Sequence, residues 1–152
     1  METVYLDTET TGVSDDDEMV ELTIIDDNCK PLINTLIKPK YHTSWPDAQR
    51  VHGIAPIDVR HAPTQDQISD DIREVVKGKK VVIYNAPFDS KFLPELEAAG
   101  EIVCAMRDFA EWNKSKWKSL TNATKIIGYE WEGAHRALAD TLALRAVWKH
   151  IQ

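Results

Sequence analysis

Carboxylate side chains recur in three short segments that lie far apart in the chain. The first contains Asp7 and Glu9, the second contains Asp89, and the third contains Asp140, which His135 precedes by five residues. Several carboxylates gathered in one fold repel one another and lose hydration, so folds tolerate them around cations or in paired networks. Mg²⁺ and Mn²⁺ prefer oxygen ligands of this kind. The pattern therefore predicts a divalent-metal site, and the histidine suggests a reaction.

The last predicted helix gives the clearest single indication. One of its faces is an apolar stripe interrupted by one aspartate: Ala137, Asp140, Leu144, Val147 and Ile151. An unpaired carboxylate there would be costly or would take up a proton, so a cation or a basic partner must lie opposite it. Without the nearby carboxylates, His135 would be interpreted as a structural residue. Beside four carboxylates it is a candidate general base, since the reference pKa of histidine is about 6.5.

The first acidic segment follows a short predicted strand, residues 4–6. Alternate residues of a strand share a face, so Asp7 and Glu9 lie on one side if the strand continues that far. The following Thr10-Thr11-Gly12 adds hydroxyl groups and a flexible turn whose amides can approach a ligand closely. The alternative is an ordinary polar exit from a strand into a loop.

The second acidic segment opens a predicted helix. Asn85 is placed to cap this helix, and Pro87 lies in its first turn. Phe88 packs toward the sheet, and Asp89 lies at the edge of the same buried face. The alternative is that the helix dipole alone favours an aspartate in a first turn.

Apolar patterns and turn signals predict five strands, at residues 4–6, 19–25, 32–37, 81–84 and 101–104. Helices are expected at 46–51, 65–76 and 87–99 and over much of the chain from residue 106. Early meander strands followed by strand–helix alternation indicate a mixed five-stranded sheet flanked by helices, an α/β fold. The length fits one domain spanning residues 1–152.

The net charge of −7 disfavours non-specific binding of polyanions. Attraction for a nucleic acid must then come from bound metal and local basic clusters. The segment Trp112–Lys118 mixes aromatic residues with lysines. It either contacts DNA or RNA, or it contributes a core tryptophan and solvated lysines. The acidic run Asp15–Glu18 predicts a solvated loop.

Other features place the chain in a broad class. Cys29 and Cys104 lack metal-ligand spacing, so a reduced, cytoplasmic setting is a simpler assumption than a disulfide. No apolar run approaches membrane-spanning length, and the N-terminus lacks the pattern of a secretory signal. We therefore expect no membrane association.

Together the segments resemble the three motifs of the DnaQ-like (DEDDh) 3′–5′ exonucleases, a family with an RNase H-like fold. The matching residues are Asp7-x-Glu9 with Thr10-Thr11-Gly12, then Asn85-x-x-Phe88-Asp89, and His135-x-x-x-x-Asp140. In addition, His52-Gly53 resembles a histidine–glycine loop of the family, and residues 120–128 resemble the run into its third motif. Tyr84 is a departure, because the family typically has a histidine before this asparagine.

The resemblance implies that Asp7, Glu9, Asp89 and Asp140 bind two Mg²⁺ or Mn²⁺ ions and that His135 activates water. Two cations suit an in-line phosphoryl displacement, because they stabilise both the attacking and the leaving oxygen. It also implies a substrate-binding set: Thr10, Thr11, Gly12, His52, Asn85 and Phe88. The expected products are nucleoside 5′-monophosphates.

The substrate implied is a nucleic acid with a free 3′ end, by analogy single-stranded DNA or a frayed 3′ end. RNA trimming and short-oligoribonucleotide disposal stay open, because the same fold and residues serve them. A catalytically silent nucleic-acid-binding accessory protein and a structural metal-binding domain also stay open. The resemblance leaves room for a polymerase or repair-protein partner, and the sequence does not determine the oligomeric state.

Overall fold

A five-stranded mixed sheet forms the centre of the computed structural model, which describes residues 1–131 and 135–152. The strands are β1 (Thr3–Thr10), β2 (Met19–Asp26), β3 (Pro31–Leu36), β4 (Lys80–Ile83) and β5 (Glu101–Cys104). The sheet order is β3-β2-β1-β4-β5. β1, β2 and β3 form an antiparallel meander, whereas β4 pairs with β1 and β5 in parallel. The predicted mixed α/β sheet is confirmed.

Six α-helices accompany the sheet in the described part of the chain. They are α1 (Pro46–His52), α2 (Gln65–Val76), α3 (Ala86–Asp89), α4 (Ala105–Asn113), α5 (Leu120–Ile127) and α6 (Ala137–His150). The Thr64 hydroxyl caps α2 and the Ser119 hydroxyl caps α5, each accepting a hydrogen bond from an amide of the first turn. None of the described helices is long and apolar enough to span a membrane. Cys29 and Cys104 are free thiols.

The central strand β1 contributes to two cores, one on each face of the sheet. Val4 and Leu6 belong to a core shared with α2, whereas Tyr5 belongs to a second core shared with α4, α5 and α6. Alternation along the strand carries Asp7 and Glu9 to the same face as Tyr5. The strand therefore directs both carboxylates toward α6.

The predicted continuous helix over residues 87–99 is wrong. After the short α3, the chain forms two 3₁₀ turns, Ser90–Phe92 and Pro94–Ala98. Leu93 separates them in a non-helical conformation, with φ −129° and ψ 76°. Proline lacks an amide hydrogen and disfavours helical geometry in the preceding residue, so Pro94 breaks the helix. Phe92 and Leu93 still pack in the core on the α2 side, as expected.

Candidate active site

Asp7, Glu9 and Asp140 meet where β1 faces the first turn of α6. A ligand oxygen from each carboxylate lies within 4.8 Å of the other two. β1 continues to Thr10, so both acids of the first segment project from the strand itself. The sequence required a cation or a basic group opposite Asp140. The structure places two further carboxylates there instead of a basic group, so a cation is the remaining choice.

Burial and mutual repulsion oppose ionisation of this cluster. Burial, reinforced by Asp140, raises the pKa of Glu9 to about 10. Burial, followed by the charges of Asp89 and Asp140, raises the pKa of Asp7 well above its ordinary value. The pKa of Asp140 is also raised, mainly by burial, although this carboxylate accepts a hydrogen bond from the His135 amide. Without a cation, the cluster therefore retains protons at neutral pH.

One oxygen of the cluster lacks a partner. Asp7 Oδ2 is buried and forms no hydrogen bond with any residue in 1–131 or 135–152. An unsatisfied buried polar atom costs about 1–3 kcal/mol. A divalent cation would satisfy this oxygen and reverse the repulsion among the carboxylates, and Mg²⁺ and Mn²⁺ take oxygen ligands. The three carboxylates therefore fit a divalent-metal site.

Asp89 reaches the edge of this cluster from α3. It is 5% exposed, and its Oδ2 accepts a hydrogen bond from the Thr8 hydroxyl at 3.2 Å. Burial raises the pKa of Asp89 to about 7, while the bonds from Thr8 oppose the shift. Asp89 repels Asp7, yet it stands outside the group of three carboxylates whose oxygens lie within 4.8 Å. Asp89 therefore lies beside the group of three carboxylates but outside it.

Asn85 occupies the N-cap position of α3, but its side chain makes no capping hydrogen bond. The predicted side-chain cap is therefore wrong. Its backbone carbonyl instead accepts hydrogen bonds from the amides of Phe88 and Asp89, at 3.0 and 3.3 Å. Backbone hydrogen bonds therefore hold the helical turn that carries Asp89.

The raised carboxyl pKa values predict that the metal-free protein loses stability as the pH rises. A carboxyl group whose pKa is higher in the folded than in the unfolded chain stabilises the fold fully below its unfolded pKa, and this contribution disappears as the pH rises through the folded pKa. With folded values of about 7 for Asp89 and about 10 for Glu9, the loss falls between pH 5 and pH 10. In EDTA, the melting temperature should therefore fall across this window.

Mg²⁺ or Mn²⁺ should raise the melting temperature more at pH 9 than at pH 5, because the ion binds the ionised carboxylates. At a hundredfold excess over Kd the gain is about 2.7 kcal/mol, or roughly 5–10 °C for a chain of this size. Differential scanning calorimetry measures both effects. Glu97→Gln, which alters an exposed carboxylate paired with Arg73, is the control. A melting temperature in EDTA that does not change with pH would contradict the prediction.

His135 immediately precedes the N-cap of α6 and adopts a left-handed conformation, with φ 72°. This conformation is uncommon outside glycine. It directs the His135 amide toward Asp140 Oδ1, at 2.9 Å, while the side chain is exposed. The histidine therefore lies next to the carboxylate cluster with access to solvent water.

An ion pair between a buried glutamate and a half-exposed arginine, which sequence reasoning missed, fixes the start of α6. Glu21, 5% exposed, lies opposite Glu9 in the β1–β2 register. Its carboxylate accepts hydrogen bonds from Arg136 Nε and Nη2, at 3.1 and 2.7 Å, and from the Ala137 amide at 2.8 Å. Bidentate contacts of this kind are strong and directional. They attach the residues that follow His135 to the sheet.

A cleft of about 560 Å³ lies beside the carboxylates. Five of the six predicted substrate-binding residues line it: Thr10, Thr11, Gly12, His52 and Phe88. The structure thus brings these residues to one place, beside Glu9. Asn85, the sixth, lies at the start of α3, next to the segment that carries Phe88 and Asp89.

His52 is bonded to the protein through both ring nitrogens. Nε2 donates to the Thr10 carbonyl at 2.9 Å, and Nδ1 accepts from the Ile54 amide at 3.0 Å. This arrangement requires a neutral ring, and burial lowers the pKa of His52 accordingly. The histidine therefore fixes the end of β1 and presents the remainder of its ring to the cleft.

The acidic run Asp15–Glu18 is only partly solvated, so the prediction of a solvated loop is wrong for its second half. Asp17 accepts a hydrogen bond from the Thr11 hydroxyl at 2.7 Å. Glu18 accepts bonds from the backbone amides of residues 40–42 and contacts the His42 ring. Although burial opposes the shift, these bonds lower the pKa of Glu18. A Cβ at Gly12 would lie 2.5 Å from Asp17 Oδ2, so a larger residue there would displace the Asp17 carboxylate.

The fold and the cleft define an exonuclease of RNase H-like architecture. Among solved structures, exonuclease X in complex with 5′ overhanging duplex DNA superposes with a TM-score of 0.80 and 26% identity, over 98% of this chain and 90% of that one. E. coli exonuclease I in complex with a dA16 oligonucleotide gives a TM-score of 0.79 at 19% identity, over 97% of this chain and 40% of that one.

Sequence comparisons agree. The exonuclease family model matches residues 4–147. An uncharacterized exonuclease, CP81, of Escherichia phage 186 is 35% identical over an alignment of 158 positions, which covers 90% of this chain and 81% of that protein. The DNA polymerase III subunit epsilon of Rickettsia felis is 36% identical over 96 residues, but these span 59% of this chain and 42% of that subunit. The chain therefore belongs to the DnaQ-like exonuclease family and is a nuclease that acts on nucleic acid.

Proposed function

We propose that this chain is a metal-dependent 3′–5′ exonuclease that releases nucleoside 5′-monophosphates from DNA. The observation that carries the proposal is the cluster of Asp7, Glu9 and Asp140, with its unpartnered Asp7 oxygen, in an exonuclease fold. These carboxylates, together with Asp89, would hold two Mg²⁺ or Mn²⁺ ions. Residues 1–152 would form one exonuclease domain.

Each residue of the site then has a distinct task. Bound divalent ions would supply charge stabilisation to the attacking and leaving oxygens of the phosphodiester. His135 would accept the proton of the attacking water, since its side chain is exposed beside Asp140. The Glu21–Arg136 pair would hold the histidine segment in position.

The terminal nucleotide would occupy the cleft beside Glu9. Phe88 offers a partly exposed aromatic ring for stacking, and Thr10-Thr11-Gly12 forms the opposite wall. His52 supports that wall through the Thr10 carbonyl. Asn85 would support the α3 segment.

Single-stranded DNA or a frayed 3′ end is the substrate we propose. Two similarities support DNA: exonuclease X is solved with duplex DNA, and the Rickettsia relatives are DNA polymerase subunits. The same relatives make a polymerase a candidate partner. The match covers less than half of the length of these subunits, so the polymerase partner is a proposal. Mixing this chain with a polymerase and measuring their binding would test it.

A single strand labelled at its 5′ end tests the direction of hydrolysis. A 3′–5′ exonuclease shortens the labelled strand progressively and produces a ladder, whereas removal from the 5′ end releases the label first as a mononucleotide. We expect the ladder, and only in the presence of Mg²⁺ or Mn²⁺. Immediate release of labelled mononucleotide would contradict the proposed polarity.

Parallel digestion of single-stranded DNA, duplex DNA and RNA of one sequence tests the substrate. We expect single-stranded DNA to be hydrolysed fastest. Faster hydrolysis of RNA or short oligoribonucleotides would replace DNA with RNA as the substrate class. Binding of the strand without hydrolysis of any substrate would favour an accessory protein.

A further inference from the structure

We infer that a basic surface around the exposed Trp117 indole binds the single strand that leads to the hydrolysed 3′ end. We name it the upstream surface, and it consists of Arg107, Lys114, Lys116, Trp117 and Lys118. The inference rests on the proposed function, because it identifies where that substrate lies beyond the terminal nucleotide.

A tyrosine attaches the upstream surface to the strand end beside the carboxylates. The parallel register of β1 and β4 pairs Leu6 with Ile83, so the next residue along each strand brings Tyr84 beside Asp7. Paired strands lie about 4.8 Å apart. The Tyr84 side chain is buried in the core between the sheet and α4–α6, the face that also carries Asp7. Its hydroxyl donates to the Lys118 carbonyl at 2.5 Å. One end of the surface is therefore linked, across the length of the Tyr84 side chain, to the strand end beside Asp7.

The two tryptophans of this region have different surroundings. Trp112 packs against the rings of Phe109 and His150, with centroid distances of 5.7 and 5.4 Å. Trp117 is 68% exposed. Exposed aromatic rings of this kind can stack on nucleobases. Trp112 is 46% exposed and already packs against two rings, so Trp117 is the more available of the two indoles.

The charge of the surface is opposite to that of the whole chain. Its four basic side chains adjoin two acidic ones, Asp108 and Glu111, in a chain with a net charge of −7. Lys114 and Lys116 are exposed. A groove-like hollow of about 610 Å³ separates this segment from α4. Positive charge beside a stacking ring complements a single-stranded polyanion better than it complements an apolar protein segment.

Two variants and a charge-matched control test the surface. In the triple variant, Lys114, Lys116 and Lys118 are each changed to Gln, and a second variant carries Trp117→Ala. The control changes Lys77, Lys79 and Lys80 to Gln, which removes the same charge at the opposite end of β4. Binding of a labelled strand of about 20 nucleotides is measured by fluorescence anisotropy in EDTA. Hydrolysis of that strand and of a dinucleotide is measured with Mg²⁺.

We expect the triple variant to bind the long strand about 10-fold more weakly and to flatten the slope of log Kd against log salt concentration by about 2, since each lost phosphate contact removes about 0.7. Trp117→Ala should weaken binding by about 10-fold without changing that slope. In hydrolysis, both variants should lose most of the preference for the long strand over the dinucleotide. The control should match the unmodified protein.

Two results would overturn the inference: equal effects of the triple variant and the control, or equal losses in Trp117→Phe, which retains a stacking ring, and Trp117→Ala. Because binding is measured without metal, it tests the surface even if the chain hydrolyses neither substrate. Failure to hydrolyse either substrate would instead count against the proposed function.

Discussion

Asp7→Asn is expected to abolish nucleotide release and, in the same protein, to raise the melting temperature of the metal-free fold. Asp7 carries the buried oxygen without a partner, and burial together with neighbouring carboxylates opposes its ionisation. Asparagine has nearly the same shape but no charge. It relieves the repulsion and removes a ligand that a cation needs.

The effects expected on nucleotide release and on melting temperature are each large enough to be measured separately. Metal ions supply several kcal/mol of transition-state stabilisation, so release should fall by about 10³-fold, at about 1.36 kcal/mol for each factor of ten. Removal of the unsatisfied buried oxygen should stabilise the metal-free fold by about 1–3 kcal/mol. This gain should raise the melting temperature by a few degrees, at about 2–4 °C per kcal/mol. The gain should be greater at pH 9 than at pH 5, because ionised Asp7 is more abundant at pH 9.

Asp70→Asn is the matched control, since it removes one negative charge from an exposed position on α2. It should change neither activity nor melting temperature appreciably. If Asp7→Asn retained activity, the metal site would be wrong. If it lowered the melting temperature in EDTA by several degrees, Asp7 would have a structural role.

His135→Asn is expected to lower kcat by about 10²–10⁴-fold, the contribution of a positioned general base. Asparagine is the appropriate replacement because it tolerates the left-handed conformation that His135 adopts. The amide contact with Asp140 is retained, and the side chain is exposed, so stability should change by no more than about 0.5 kcal/mol.

His61→Asn, an exposed histidine outside the cleft, is the control for this experiment. Its kcat and pH profile should equal those of the unmodified protein. Activity of His135→Asn within about twofold of that protein would exclude His135 as the base.

Much of the fold follows from local patterns in the sequence. The apolar runs at residues 4–6 and 81–84 predicted β1 and β4, and the two-residue repeat of side-chain direction in a strand placed Asp7 and Glu9 on one side. Asp140 on an apolar helix face predicted a cation or a basic partner, and the structure places Asp7 and Glu9 opposite it. The sequence contains the signal for the helix break, which is Pro94. The spacing of apolar residues on both sides of Pro94 nevertheless favoured one continuous helix.

Contacts between distant segments were not predictable. Thr8 bonds to Asp89 across 81 positions, and Arg136 bonds to Glu21 across 115 positions. Each requires the register of the sheet, which no local pattern specifies. The available sign was Glu21 itself, a glutamate in a largely apolar strand, since a buried carboxylate needs a partner.

A Mg²⁺ titration of nucleotide release, after EDTA treatment, tests the proposed metal-dependent hydrolysis most directly. Release from a single-stranded DNA should be absent without the ion, should rise to saturation with it, and should yield nucleoside 5′-monophosphates. Asp7→Asn should release nucleotide about 10³-fold more slowly at every Mg²⁺ concentration. Release that persists in EDTA, or that proceeds equally in Asp7→Asn, would contradict a metal centre at Asp7, Glu9 and Asp140.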